Sequence, residues 1–373
     1  MTTSAESIPP DVVAVADYEA HARARLDDNA WAYLAGGAAD EITLRANRSA
    51  WDGLLLHPRV LRPLAGGHTR IELLGRTLAH PILLAPVAYQ RLAHPLGEVG
   101  SALAAAAQGA GMVLSAQSSM PMEDLTHAVR DDALRGPLWF QLYLQADRGF
   151  TQSLVQRAEG AGFEALVLTV DAPVHGARDR ERRAGFRLPA GVSAVNLHGT
   201  PVAPARTLAA GQSALFDDLL TSAPTWADVE WLRSITRLPL LIKGVLHEAD
   251  ARQAAALGVA GLVVSNHGGR TLDTALPTAF ALPRIAEALQ GAMPLLVDGG
   301  IRRGTDVLKA LALGANAVLV GRPFVHALAV AGPQGVAHVL RLLRDELEIA
   351  MALSGCATLD QASRELIFSH REH

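Results

Sequence analysis

PLLVDGGIRRGTDVLKALALGANAVLVGRP, residues 294–323, contains one complete structural unit. It opens on a short apolar run closed by Asp298-Gly299-Gly300 and ends on a second, AVLV, closed by Gly321-Arg322. Runs this short and this uniformly apolar suit strands buried on both faces, the parallel-sheet case. Between them, in GTDVLKALALGA (304–315), Val307, Leu308 and Leu311 fall at helical spacing and Gly314 supplies a stop. The unit is predicted as strand, helix, strand.

The same pattern recurs along the chain as PILLAPVA (81–88), MVLSAQ (112–117), LWFQLYL (138–144), ALVLTVD (165–171), PLLIKGV (239–245) and GLVVSNH (261–267), with helical stretches such as ADARQAAALGVA (249–260) between. With the two runs above, this makes eight strand–helix units and predicts an α/β fold, a TIM (β/α)8 barrel. An open doubly wound sheet is the alternative, and the count of eight favours closure. The chain is predicted as a single domain over 1–373: an N-terminal helical region (1–80), the barrel (81–330), and a C-terminal helix and tail (331–373). The interval between Asp171 and Pro239 is far longer than one crossover needs, and its part 190–222 is weakly periodic, the pattern of an active-site lid loop.

Composition narrows the class. The chain has 373 residues, 50% of them hydrophobic, and a formal net charge of −4, so a large core is available and no basic footprint for nucleic acid exists. One cysteine, Cys356, excludes an internal disulfide framework and a Cys-rich metal site. No apolar run approaches membrane-spanning length, and the N-terminus lacks a basic start followed by an apolar stretch, so a cytoplasmic enzyme without a membrane partner is expected. The histidines show no metal-ligand spacing, and no metal is predicted.

In a barrel of this kind the chemistry sits at the C-terminal strand ends. Polar residues gather there: Ser115, Gln141, Tyr143, Thr169, Asp171, Lys243, Ser265, His267, Asp298, Arg302 and Arg322. SNHGGRTLD (265–273) places a base, His267, and a cation, Arg270, on one glycine-rich turn. Histidine suits general-base work near neutral pH, and arginine clamps a carboxylate through two N–H groups. The same turn also fits a structural histidine. Gly299, Gly300, Arg302, Gly321 and Arg322 follow strands 7 and 8, where barrels commonly hold phosphate. Lys243 fits a Schiff base, a fixed cation or a solvent-directed side chain. Asp171 either orients His267 or caps the next segment. Arg178, first in RDRERRAGFR (178–187), is a second clamp or part of a solvated charged face. No early Gly-x-Gly-x-x-Gly follows a strand, which disfavours NAD.

These motifs, with WAYLAGGAADE (31–41), LLAPVAYQRLAHPLGE (83–98), WFQLY (139–143) and LTVDAP (168–173) in order, resemble the FMN-dependent (S)-2-hydroxy-acid oxidase and dehydrogenase family. Glycolate oxidase, lactate oxidase, mandelate dehydrogenase and 4-hydroxymandelate oxidase belong to it. The resemblance runs from about Tyr18 to Gly355. It implies FMN as cofactor and oxidation of a 2-hydroxy acid to the 2-oxo acid. His267 would be the base, with Asp171 behind it. Arg270, Arg178 and Tyr33 would hold the carboxylate, and Tyr143 would bond near the hydroxyl. Lys243 would stabilise the reduced ring, and the backbone of Pro86, Val87 and Ala88 would meet its reactive side. Ser115, Gln141, Thr169 and Ser265 would line the ring and ribityl groups. Asp298, Gly299, Gly300, Arg302, Gly321 and Arg322 would hold the ribityl chain and phosphate.

Val87, Gln117, Tyr89 and His175 depart from the commoner residues, leaving room for lactate or a larger, aromatic acid such as mandelate. The segment 190–222 lacks the apolar anchor of membrane members, and no haem domain is added. O2, giving hydrogen peroxide, is therefore the expected acceptor, with a quinone or carrier protein as the alternative. Relatives imply a homo-oligomer, a tetramer.

Overall fold

The computed structural model describes residues 7–201, 207–209 and 211–368. The eight apolar runs form parallel strands β1 (Ile82–Leu84), β2 (Gly111–Ser115), β3 (Leu138–Leu142), β4 (Ala165–Thr169), β5 (Leu240–Val245), β6 (Gly261–Val264), β7 (Leu295–Val297) and β8 (Ala317–Val320). Each pairs with the next and β8 pairs with β1, so the sheet closes and the open alternative is excluded.

Alternation explains why the strands are apolar throughout. Leu83, Val113, Trp139, Val167, Leu241, Val263, Leu296 and Leu319 fill the barrel interior, while Ile82, Leu84, Met112, Leu114, Phe140 and Leu166 pack outward under the helices. Successive side chains of a strand point to opposite faces, and here both faces are dry.

Among the described residues three α-helices precede the barrel: α1 (Tyr18–Arg25), α2 (Asp28–Ala35) and α3 (Ile42–Asp52). The Asp27 side chain caps α2 by accepting from the Ala30 backbone N–H at 2.7 Å. Around the strands run α4 (Gly97–Ala107), α5 (Met122–Val129), α6 (Arg148–Ala161), α8 (Trp226–Ser234), α9 (Glu248–Ala256), α10 (Thr278–Leu289) and α11 (Gly304–Ala312), while the short α7 (Asp179–Arg183) lies in the long stretch after β4. The final helix, α12 (Arg322–Ser354), joins the helix of the eighth unit to the expected closing helix across a kink at Ala331 and Gly332. Pro333, which cannot donate a backbone hydrogen bond, follows that kink.

The N-terminal region is helical only as far as Asp52, short of the expected boundary at 80. Leu55–Leu56 pairs with Ile367–Phe368, and Ile71–Leu73 forms a hairpin with Arg76–Leu78. Leu74 and Gly75, both at positive φ, make the two-residue turn that matches strand twist. Leu73 and Leu78 are buried against the interior cluster and close the N-terminal end of the barrel. The alternation in IELLGRTL carries this hairpin; its few residues are easily lost beside the longer apolar runs.

Of the expected lid, residues 202–206 and 210 lie outside the described residues, as do 1–6 and 369–373 of the chain ends. The remainder includes the short turns Val195–Leu197 and Leu219–Ser222, and Leu197 and Leu219 line the cavity at the barrel mouth. No helix among the described residues is long and apolar enough to cross a membrane.

Candidate active site

A cavity of about 1540 Å³ lies over the C-terminal strand ends. Its wall includes Tyr33, Pro86, Val87, Ala88, Ser115, Gln141, Tyr143, Thr169, Arg178, Lys243, His267, Arg270, Asp298, Gly299, Gly300, Arg302, Gly321 and Arg322. Two expected residues, Asp171 and Ser265, are absent from that wall and bond to groups that form it.

Beyond β6 the chain turns sharply, because His267, Gly268 and Gly269 all sit at positive φ. At Gly269 a side chain would lie 2.6 Å from the Leu44 backbone, so the turn packs directly on α3. His267 is the one member of the three that carries a side chain, held in a backbone conformation that L-residues seldom adopt. Its Nδ1 lies 2.8 Å from Asp171 Oδ1. A carboxylate there accepts the Nδ1 proton and leaves Nε2 as the basic nitrogen. Gly244, at φ 111°, makes the pair possible: a Cβ at 244 would stand 2.5 Å from that of Asp171. Burial and the nearby Lys243 lower the imidazole's pKa against the pull of Asp171, so the ring is a neutral base at pH 7. Burial tends to raise the Asp171 pKa, but His267 and Lys243 more than offset it and hold the carboxylate ionised.

Lys243 Nζ donates to Ser265 Oγ at 2.9 Å and lies 3.4 Å from Asp298 Oδ2. Ser265 Oγ in turn donates to the Asp298 carboxylate at 2.8 Å and accepts from the His267 backbone N–H at 3.0 Å. Ser265 thus sits behind the wall and fixes Lys243, Asp298 and His267 together, instead of lining the cavity as expected. Burial pushes the ammonium toward neutrality, but Asp298 and Asp171 outweigh it and keep Lys243 protonated. A protonated amine is no nucleophile, so the geometry supports the fixed cation over the Schiff base.

On the opposite rim, Arg270 Nη1 donates to the Tyr33 and Gly36 carbonyls at 2.7 Å each, and its guanidinium lies 5.0 Å from the Tyr33 ring centre. Arg178 approaches the same place from the β4 side. Burial pushes the Tyr143 phenol up to about 12 and raises that of Tyr33, so both remain hydrogen-bond donors.

At the far end, Trp51 Nε1 donates to the Gly299 carbonyl at 2.8 Å and Thr278 Oγ1 to that of Asp298 at 2.6 Å, pinning the loop after β7. Gly300 has no room for a side chain, which would meet the Asn47 carbonyl at 2.4 Å. Arg302 and Arg322 are both directed into this end of the cavity wall. Their hydrogen bonds go to carbonyls, of Ile301 for Arg302 and of Gly268 and Gly36 for Arg322. Among the described residues neither has an ion pair, and Arg322 Nε is buried without a partner. Burial, with Arg270 and Arg302 nearby, drives the Arg322 pKa down to about 9. Half-buried cations without an ion-pair partner call for an anion such as phosphate.

Between these ends, Ser115 Oγ donates to Gln141 Oε1 at 3.0 Å and leaves Gln141 Nε2 buried and unpartnered. A free amide donor, a fixed ammonium and a cationic end fit a flat polar ring carrying a phosphate.

Sequence reasoning missed Glu98, Glu181 and the Gly36 carbonyl. Glu98 is fully buried and accepts from the Gln90 and Ser119 backbone N–H groups, both at 2.9 Å, tying the loop after β1 to the loop after β2. A carboxylate satisfied by neutral donors, like a backbone carbonyl, leaves no mark in residue spacing.

The FMN-dependent dehydrogenase family model matches residues 22–369. An L-lactate oxidase of Roseobacter sp. (strain GAI101) is 49% identical over 98% of this chain and 97% of its own length. Glycolate oxidase 1 of Zea mays is 43% identical over 97% of each chain. A crystal structure of mandelate oxidase with (S)-2-phenylpropionate superposes with a TM-score of 0.85 at 44% identity, covering 95% of this chain and 98% of that one. The chain belongs to the FMN-dependent dehydrogenase family, and FMN is its cofactor.

Proposed function

We propose that the protein oxidises an (S)-2-hydroxy acid, lactate or a larger aromatic acid such as mandelate, to the 2-oxo acid, while O2 takes up the two electrons and two protons as hydrogen peroxide. One observation carries this reading: His267, backed by Asp171, faces a cavity that Arg178, Arg270 and Lys243 also line. The relatives named L-lactate oxidase, glycolate oxidase and mandelate oxidase support it.

Ser115, Gln141, Thr169 and the backbone of Pro86, Val87 and Ala88 would hold the FMN ring, with Ser265 fixing Lys243 and Asp298 from behind. Asp298, Gly299, Gly300, Arg302, Gly321 and Arg322 would hold its ribityl phosphate. Bound FMN supplies a two-electron acceptor. Arg178 and Arg270, with the Tyr33 phenol, bind the substrate carboxylate, and Tyr143 donates to the hydroxyl oxygen. His267 Nε2 takes a proton from the substrate, and Asp171 stabilises the resulting imidazolium. Lys243, only 4% exposed, offsets negative charge from a position poorly screened by water, where a fixed cation acts most strongly.

The reading includes a homotetramer in the cytoplasm. Exposed Val60, Leu61, Ile349 and Leu353 offer apolar surface for a partner copy, and the lone buried thiol of Cys356 suits a reducing compartment. Anaerobic mixing of the FMN-loaded protein with lactate, glycolate and mandelate tests the chemistry. Lactate or mandelate should bleach the flavin and air should restore it; colour that persists with all three acids overturns the reading.

A further inference from the structure

Glu181, on α7, is a buried-rim acid that the reaction above does not use. Its Oε1 accepts from Arg178 Nη1 at 3.3 Å and from Arg270 Nη2 at 3.2 Å. One carboxylate oxygen therefore joins two guanidiniums that arrive on different loops, after β4 and after β6. The three side chains are only 13–15% exposed, so the two positive charges repel with little screening from water. An anion between them holds the pair at a short separation. Glu181 occupies one edge of each fork, and Arg178 Nε stays buried and unpartnered, available to a second carboxylate.

The brace is itself anchored. Arg180, next along α7, pairs with Glu41 at 2.5 Å, and Glu41 Oε1 accepts from the Gly37 backbone N–H at 2.9 Å. The neighbouring Gly36 carbonyl accepts from Arg270 Nη1. A closed circuit thus links α7, the α2–α3 connection and Arg270.

We propose that Glu181 is a positioning residue that sets Arg178 and Arg270 at the spacing a substrate carboxylate requires. This rests on the carboxylate-clamp reading of the two arginines. The test is calorimetric titration of the oxidised, FMN-loaded protein with pyruvate and with uncharged lactamide, in wild type, E181A and E181Q, alongside flavin content and Tm.

E181A should weaken pyruvate about tenfold, the scale of a lost charge-assisted contact, and leave lactamide within about twofold. E181Q, whose amide oxygen still accepts from both arginines, should recover part of the loss. Flavin content and Tm should match wild type. Pyruvate affinity in E181A that equals or exceeds wild type overturns the proposal, as do equal losses for pyruvate and lactamide. Wild type that neither binds pyruvate nor bleaches with lactate counts against the hydroxy-acid reading and removes the clamp with it. Wild type that binds and bleaches beside an indifferent E181A sinks the brace alone.

Discussion

At the N-terminal end of the barrel, Leu73 and Leu78 seal an interior of Leu83, Val113, Val167 and Leu241, with no charge among them. At the C-terminal end the same strands run out into ionisable side chains, Lys243, His267, Asp298 and Arg322, each held by hydrogen bonds to a neighbouring side chain or to backbone carbonyls. Positive φ occurs at both ends, at the base in tight turns such as Leu74–Gly75. Gly244, His267, Gly268, Gly269, Gly299 and Gly300, all at positive φ, cluster at the mouth. Apolar burial at the base stabilises the barrel. That stability permits buried charge and an uncommon backbone at the mouth, where the chemistry needs them.

Four measurements probe this division. The largest effect belongs to His267→Ala, which should retain flavin absorbance and slow anaerobic flavin reduction by about 10²–10⁴-fold, the range of an oriented base. Unchanged reduction would remove His267 from the chemistry. Arg270→Met should lower kcat/KM for the acid by about 10²-fold through loss of a two-pronged contact, read in steady-state kinetics. Leu73→Ala probes the opposite end. It should cost about 2–5 kcal/mol of unfolding free energy in denaturant titration and leave kcat of the folded protein unchanged. A drop in kcat there would mean that base and mouth are coupled.

The smallest effect is a displacement along the pH axis. His267 must be neutral to accept a proton, so acid removes activity. Because burial lowers its pKa from 6.5, kcat/KM should fall as pH drops through a midpoint below 6.5. A midpoint above 6.5 would show that Asp171 dominates over burial and Lys243.

Most of the mouth is legible in the chain because strand ends recur at regular intervals and barrels expose those ends on one side. Lys243 follows apolar residues directly, Arg322 comes after one glycine, and His267 and Arg270 lie on the short turn that follows β6, so their placement follows from the periodicity of the strand ends. Ser265 also ends a run, yet it faces Lys243 and Asp298 instead of the cavity, since its strand-end turn carries it beneath His267. Glu181 sits among alternating charges, where spacing cannot tell a brace from a solvated face. Gly36 acts through its carbonyl, a group every residue carries.

Apolar runs buried on two faces and helices of matching length between them specify eight parallel strand–helix units from local patterning, while closure rests on the pairing of β8 with β1. Which acid meets which cation, which glycine makes room for Asp171, and which carbonyl steadies Arg270 depend on contacts between segments far apart in the chain. Those were settled only when the loops packed over one mouth, where each buried charge needed a partner at hydrogen-bond distance.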